Sequence, residues 1–149
     1  MNRKRNVAVL GGTMLSLLLT ACPAQDWGPI SSYYNGNRVV RANGTSSLVD
    51  STTAHNSITL EDSRADGNNV YATTNFYFWE PDSYGTWGWR NQTRSTTSEI
   101  SNRTATFTHS RAITRKGTRV RIISGACAQM GWPVADSCAD ESGIVTFDY

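Results

Sequence analysis

The sequence predicts an all-β protein, an antiparallel β-sandwich of about six to eight short strands, with a small β-barrel as the alternative architecture. Three observations predict it. Past its first stretch the 149-residue chain shows no helical periodicity, while β-branched and aromatic residues alternate in short runs. Clusters of Gly, Asn and Asp separate those runs and supply turn chemistry. Two late cysteines, Cys127 and Cys138, are suited to stapling a domain of this size.

In chain order, the first element is not part of the domain. The chain opens Met1-Asn2-Arg3-Lys4-Arg5, and an apolar run from Val7 to Leu19 follows, broken by Gly11, Gly12, Thr13 and Ser16. A cationic start before a short apolar run is the build of a secretion signal peptide, here residues 1–21. Crossing a bilayer takes about 20 consecutive apolar residues, and the run falls short of that. Leu19-Thr20-Ala21-Cys22 resembles the bacterial lipobox, which implies cleavage before Cys22 and acylation of its thiol. The competing cleavage, after Ala24, gives a freely secreted protein. Residues 22–30 read as a linker after the processing site, and 31–149 as a single β domain.

Export also settles the cysteine count. Cys22 is acylated or removed, so Cys127 and Cys138 remain and are expected to pair in an oxidising compartment. Closing so short a loop contributes on the order of 2–3 kcal/mol in the chain-entropy picture. Their spacing is not that of a zinc knuckle or a redox Cys-x-x-Cys, and no histidine lies between them. The sequence implies neither a metal nor a cofactor.

The strands follow. Val39-Val40 sits between Asn35-Gly36 and Asn43-Gly44, both strong turn dipeptides. Ser57 to Glu61 alternates, with Ile58 and Leu60 on one face. Asp62 to Asn69 is the densest turn chemistry in the chain, and a longer strand from Val70 to Trp79 follows it. Val70, Ala72, Thr74, Phe76 and Phe78 share one face of that strand; Tyr71, Thr73, Asn75, Tyr77 and Trp79 share the other. Pro81 to Gly85 reads as a turn before a strand starting at Trp87. Further strands are expected over Arg103 to Arg111, Thr118 to Gly125 and Gly143 to Tyr149.

Charge narrows the partners. Of 14 Lys+Arg, three lie in the leader, so the mature chain carries 11 against 12 Asp+Glu, close to −1. A nearly neutral domain lacks the electrostatic footprint of a nucleic-acid binder. Contact with a membrane is expected only through the lipid on Cys22. One local excess, Arg111, Arg115, Lys116, Arg119 and Arg121, suits an anionic polymer or lipid headgroup, but its plainer reading is a solvated strand face and turn.

No catalytic residue is assigned. His55 and His109 lie in separate segments with no Gly-x-Ser-x-Gly elbow or His-Glu-x-x-His pair. His109 shares a face with Ala105 and Phe107, which suits a half-buried structural role. Glu80 and Asp82 flank Pro81, but a glycosidase pair must face each other across a cleft about 5–9 Å wide. An EF-hand-like calcium loop over 62–73 would need an oxygen ligand where Arg64 stands and a glutamate where Thr73 stands. Three Asn-x-Ser/Thr sequons, starting at Asn43, Asn91 and Asn102, are what an Asn- and Thr-rich chain carries by chance. The candidate binding residues are Tyr77, Trp79, Tyr84, Trp87, Trp89 and Arg90, rings that suit sugar faces or a protein partner if exposed, and core filling if not.

Two resemblances bear on this. The run Arg64-Ala65-Asp66-Gly67 before Val70-Tyr71, with Val120-Arg121-Ile122 and the late cysteine pair, is similar to small secreted actinobacterial proteins of unassigned function. That resemblance implies export, a β fold and the disulfide, and no activity. Trp89-Arg90 resembles the exposed pair of bacterial α-amylase inhibitors of the tendamistat type, which carry two bridges where this chain has one cysteine pair. The expectations are therefore a non-enzymatic extracytoplasmic binding or surface module for a glycan or protein, then an inhibitor of an extracellular hydrolase presenting Met130 to Pro133, then a small hydrolase.

Overall fold

The computed structural model describes residues 23–50, 52–139 and 143–149, leaving aside the side chains of 91 and 92. The expected leader 1–21 and Cys22 lie outside the described residues. The described residues form nine strands: β1 (Gln25–Tyr34), β2 (Asn37–Asp50), β3 (Thr53–Asp62), β4 (Val70–Pro81), β5 (Trp87–Thr96), β6 (Thr104–Ala112), β7 (Arg119–Ala128), β8 (Ser137–Cys138) and β9 (Gly143–Asp148). They form two antiparallel sheets. One is four-stranded in the order β1-β2-β3-β6; the other is five-stranded, β5-β4-β7-β8, with β9 also on β7. Among the described residues no helix is long and apolar enough to cross a membrane.

The sheets share one core, in which Ile58 and Leu60 of β3 meet Phe76 and Phe78 of β4 and Val120 and Ile122 of β7, all six fully buried. Burying side chains of this size contributes about 1.5–3 kcal/mol each. At its centre sits an amide whose four bonds are all made. Asn56 Oδ1 accepts from Trp27 Nε1 at 2.8 Å and Ser46 Oγ at 3.0 Å, and its Nδ2 donates to Thr74 Oγ1 and Ser124 Oγ, both at 2.8 Å. Asn56 and Ser46 belong to the four-stranded sheet, Thr74 and Ser124 to the other, so one side chain ties the two layers.

Two strands exceed those expected, β1 and the two-residue β8. Of the expected linker 22–30, Gln25–Ile30 instead belong to β1, and Trp27 is buried in the core. Asn43-Gly44 corrects a second expectation. It is no turn but the middle of β2, paired to Trp27 on one side and to Ile58 on the other. A Cβ on Gly44 would stand 1.9 Å from Ser57 O and 2.7 Å from the Trp27 ring, so glycine is required for room. Asn35-Gly36, by contrast, is the two-residue turn expected, with both residues at positive φ (50° and 76°) between the paired Tyr34 and Asn37.

The disulfide joins Cys127 to Cys138, cross-strand neighbours on β7 and β8 with Cα atoms 4.0 Å apart. A bond of this kind fits an extracytoplasmic protein.

Candidate functional site

Successive strand residues face opposite ways, so burying Phe76 and Phe78 turns Tyr77 and Trp79 outward. The β4–β5 register sets Trp89 opposite Trp79 and Trp87 opposite Pro81, which brings the indoles onto the same outer face. Trp79 and Trp89 meet edge to face with ring centres 5.5 Å apart. Arg121, opposite Tyr77 on β7, lays its guanidinium over the Trp89 ring at 4.1 Å. Trp87 is 46% exposed, and Tyr84, at the hairpin tip, is 92% exposed. The cluster thus lies on the outer face of the sheet, with Tyr84 and Trp87 open to water and Tyr77, Trp79 and Trp89 partly buried against their neighbours.

Arg90 does not join it. In register it sits opposite the inward Phe78, one residue out of phase with Trp89, so the two side chains leave on opposite faces. Arg90 Nη2 instead lies 3.1 Å from Asp82 Oδ2 and donates to Thr86 O at 3.1 Å. The remaining oxygen, Asp82 Oδ1, accepts from Thr86 N at 2.9 Å and Tyr84 N at 2.8 Å. These contacts, the Thr86 N–H first, hold the Asp82 carboxyl below its ordinary range. Arg90 and Asp82 clamp the turn that presents Tyr84 and Trp87. Glu80, buried at 8% exposure, lies on the inner face, so the Glu80–Asp82 pair does not span a cleft.

The other end of the same sheet carries a concavity of about 360 Å³, lined by Asn68 and Asn69 before β4 and by Gln129, Trp132, Val134 and Asp136 on the disulfide loop. Trp132 is 97% exposed there. The loop is pinned by Tyr71 Oη donating to Asp136 Oδ2 at 2.8 Å and by Ser137 Oγ meeting Ser32 Oγ at 2.6 Å. Burial and then the Asp136 contact push the Tyr71 hydroxyl above its ordinary value. Glu99 braces the floor through Asn69 Nδ2 and Gln129 Nε2.

His55 faces outward from β3, half-buried. His109 faces inward from β6, its Nδ1 2.9 Å from Thr74 Oγ1 at the margin of the Asn56 cluster, and burial lowers its pKa. Among the described residues no group of three His, Cys, Asp or Glu could hold a metal ion.

Sequence reasoning missed two parts of this surface. Arg121 on Trp89 was legible as a parity, since Arg119 and Arg121 alternate with the buried Val120 and Ile122. The groove below Trp132 draws on segments 60 residues apart, and no local pattern announces that. In comparisons with protein-family models, curated proteins and solved structures, the chain matches none.

Proposed function

We propose that this protein is a non-enzymatic extracytoplasmic binding module that holds a sugar polymer against the outer face of its five-stranded sheet, anchored by lipid at Cys22. The observation that supports this is the outward placement of Tyr77, Trp79, Trp87 and Trp89 while other residues already fill the core. Leaving Trp87 and Tyr84 open to water forgoes the stabilisation of burying them, a cost that a folding requirement does not explain and a ligand does. Ring faces with polar edges suit the apolar faces and hydroxyl rims of sugars.

The test is migration of the mature protein through native gels cast with dextran, xylan, soluble starch or polygalacturonate. Retardation by at least one of them is expected, and substituting Trp79→Ala with Trp87→Ala should restore free mobility. Unretarded migration in all four would sink the reading. Intact mass of the protein from its native host tests the anchor: diacylglyceryl mass on an N-terminal Cys22 is expected, and a chain beginning at Gln25 would replace anchoring with secretion.

One observation favours a second reading, inhibition of an extracellular hydrolase. Trp132 stands almost wholly exposed on a loop held by a disulfide and side-chain bonds, the rigid presentation that keeps the ordering cost of binding low. Loss of α-amylase or protease activity on adding the protein, reversed by Trp132→Ala, would support it; unaltered enzyme rates would remove it.

A further inference from the structure

Resting on the reading of the aromatic face as a sugar-polymer site, we propose that its ligand is acidic, a polysaccharide carrying ring carboxylates, and that Arg121 is the residue that selects for the charge. The outer face of the five-stranded sheet is basic in a way the whole chain is not. Register places Arg94 opposite Asn75, Arg121 opposite Tyr77 and Arg119 opposite Trp79, all on the outward side of β4. Among the described side chains of β4, β5, β7 and β9 on that face, Asp148 is the one carboxylate, 3.1 Å from Arg119 and 86% exposed. Exposed Arg115 and Lys116 stand in the adjoining turn, whose Thr118 N–H donates to Trp79 O at 3.1 Å. Arg111, the remaining member of the basic run, is on β6 in the other sheet and takes no part.

Arg121 is the prepared member of this group. Stacking on Trp89 fixes its plane, and its Nε is shielded from water without a hydrogen-bond partner. A planar carboxylate is the group whose two oxygens match a guanidinium held in a fixed plane. The neighbouring rings decide between anions. A uronate residue offers a ring face for Trp87 or Trp79 and a planar carboxylate for Arg121 in one unit; a polyol-phosphate chain has no ring to stack. At the far end of the face Glu99 and Asp136 would repel a polyanion, so the charged contact is confined to the Trp79 end.

Polygalacturonate and its fully methyl-esterified form make the test, since they present the same rings with and without charge. Binding to polygalacturonate is expected to exceed binding to the ester at least about tenfold, and to weaken as salt rises. Arg121→Gln should abolish that preference, Arg121→Lys should restore part of it, and Asp148→Asn, which removes the face's carboxylate, should strengthen binding. If Arg121→Gln fails to fold by its melting transition, Arg119→Gln and the ester comparison still read the charge. Equal binding of the two polymers would overturn the acidic ligand and leave the sugar-binding reading standing. Tighter binding of polyglycerol phosphate than of polygalacturonate would overturn the carboxylate assignment. Absence of binding to these and to the neutral polymers would bring down both readings.

Discussion

The two sheets solve the same inner problem and present opposite exteriors. Outward from β2, β3 and β6 stand mainly short polar side chains, Asn43, Thr45, Ser47, Ser57, Thr59, Thr106 and Thr108, beside His55 and the Arg41–Glu61 ion pair, with Thr59 Oγ1 3.4 Å from Thr106 Oγ1. Outward from β4, β5 and β7 stand Tyr77, Trp79, Trp87, Trp89, Arg119 and Arg121. Both faces lie over the same kind of aliphatic interior, so packing cannot be what distinguishes them. Short β-branched hydroxyls satisfy strand propensity and water at once. Large rings and an arginine stacked on one of them do more than a strand needs, and the excess is where function is to be sought.

The comparison holds only if stability resides between the sheets rather than on either exterior. Asn56→Ala probes that most severely, because it strands the Trp27 indole N–H and the hydroxyls of Ser46 and Ser124 in the buried interior and leaves Thr74 only its contact with His109. Each buried group left without a partner costs about 1–3 kcal/mol, so a loss of about 3 kcal/mol or more is expected in urea unfolding. A loss under about 1 kcal/mol would mean that the sheets are held otherwise. Thr59→Ala, on the polar exterior, should by contrast change stability by no more than about 0.5 kcal/mol.

How much of this was legible follows the same division. The inward and outward faces of β4 were readable because Phe76 and Phe78 alternate strictly with Tyr77 and Trp79. Arg90 was grouped with the rings on a dipeptide likeness that ignores alternation, and the register turns it to the other face. β1 was unreadable because Gly28 and Pro29 interrupt it, with a register shift between Trp27 and Ile30. Gly44 read as a turn because a glycine required for space and one required for φ are the same letter. Asn56 drew no attention, as nothing in a strand of alternating residues says that one inward polar group will find partners from four other strands.

The next effect in size is that of the staple. Cys127→Ser with Cys138→Ser opens the loop that carries Trp132 and is expected to cost about 2–3 kcal/mol. It also bears on the second reading, because any inhibition by the loop should weaken with it while polysaccharide binding at the Trp79 end persists. Simultaneous loss of both, in protein that still melts cooperatively, would show the two ends of the sheet to be one site.

A smaller effect comes from His109, the inward imidazole at the open edge of the four-stranded sheet. Burial lowers its folded pKa, so the unfolded chain takes up a proton more readily. The sign follows: stability is full above the unfolded value of about 6.5 and declines as pH falls from there toward the folded value. His109→Gln should flatten that decline between pH 7.5 and 5, measured by urea midpoints. An unchanged slope would place the titrating group elsewhere.

The smallest stability effect carries the most weight for function. Trp87 is nearly half exposed at the start of an edge strand, so Trp87→Ala removes a ring that contributes little to the fold. A change of less than about 0.5 kcal/mol in unfolding free energy is expected, beside a clear loss of retardation in the polysaccharide gels. Core tryptophans behave otherwise, since removing a buried large ring costs about 3–5 kcal/mol, which Trp27→Ala should approach. If Trp87→Ala cost as much as Trp27→Ala, the aromatic exterior would be structural and the contrast between the two faces would lose its functional meaning. If it leaves stability untouched and abolishes binding, the ring is retained for its ligand, because nothing inside the protein requires it.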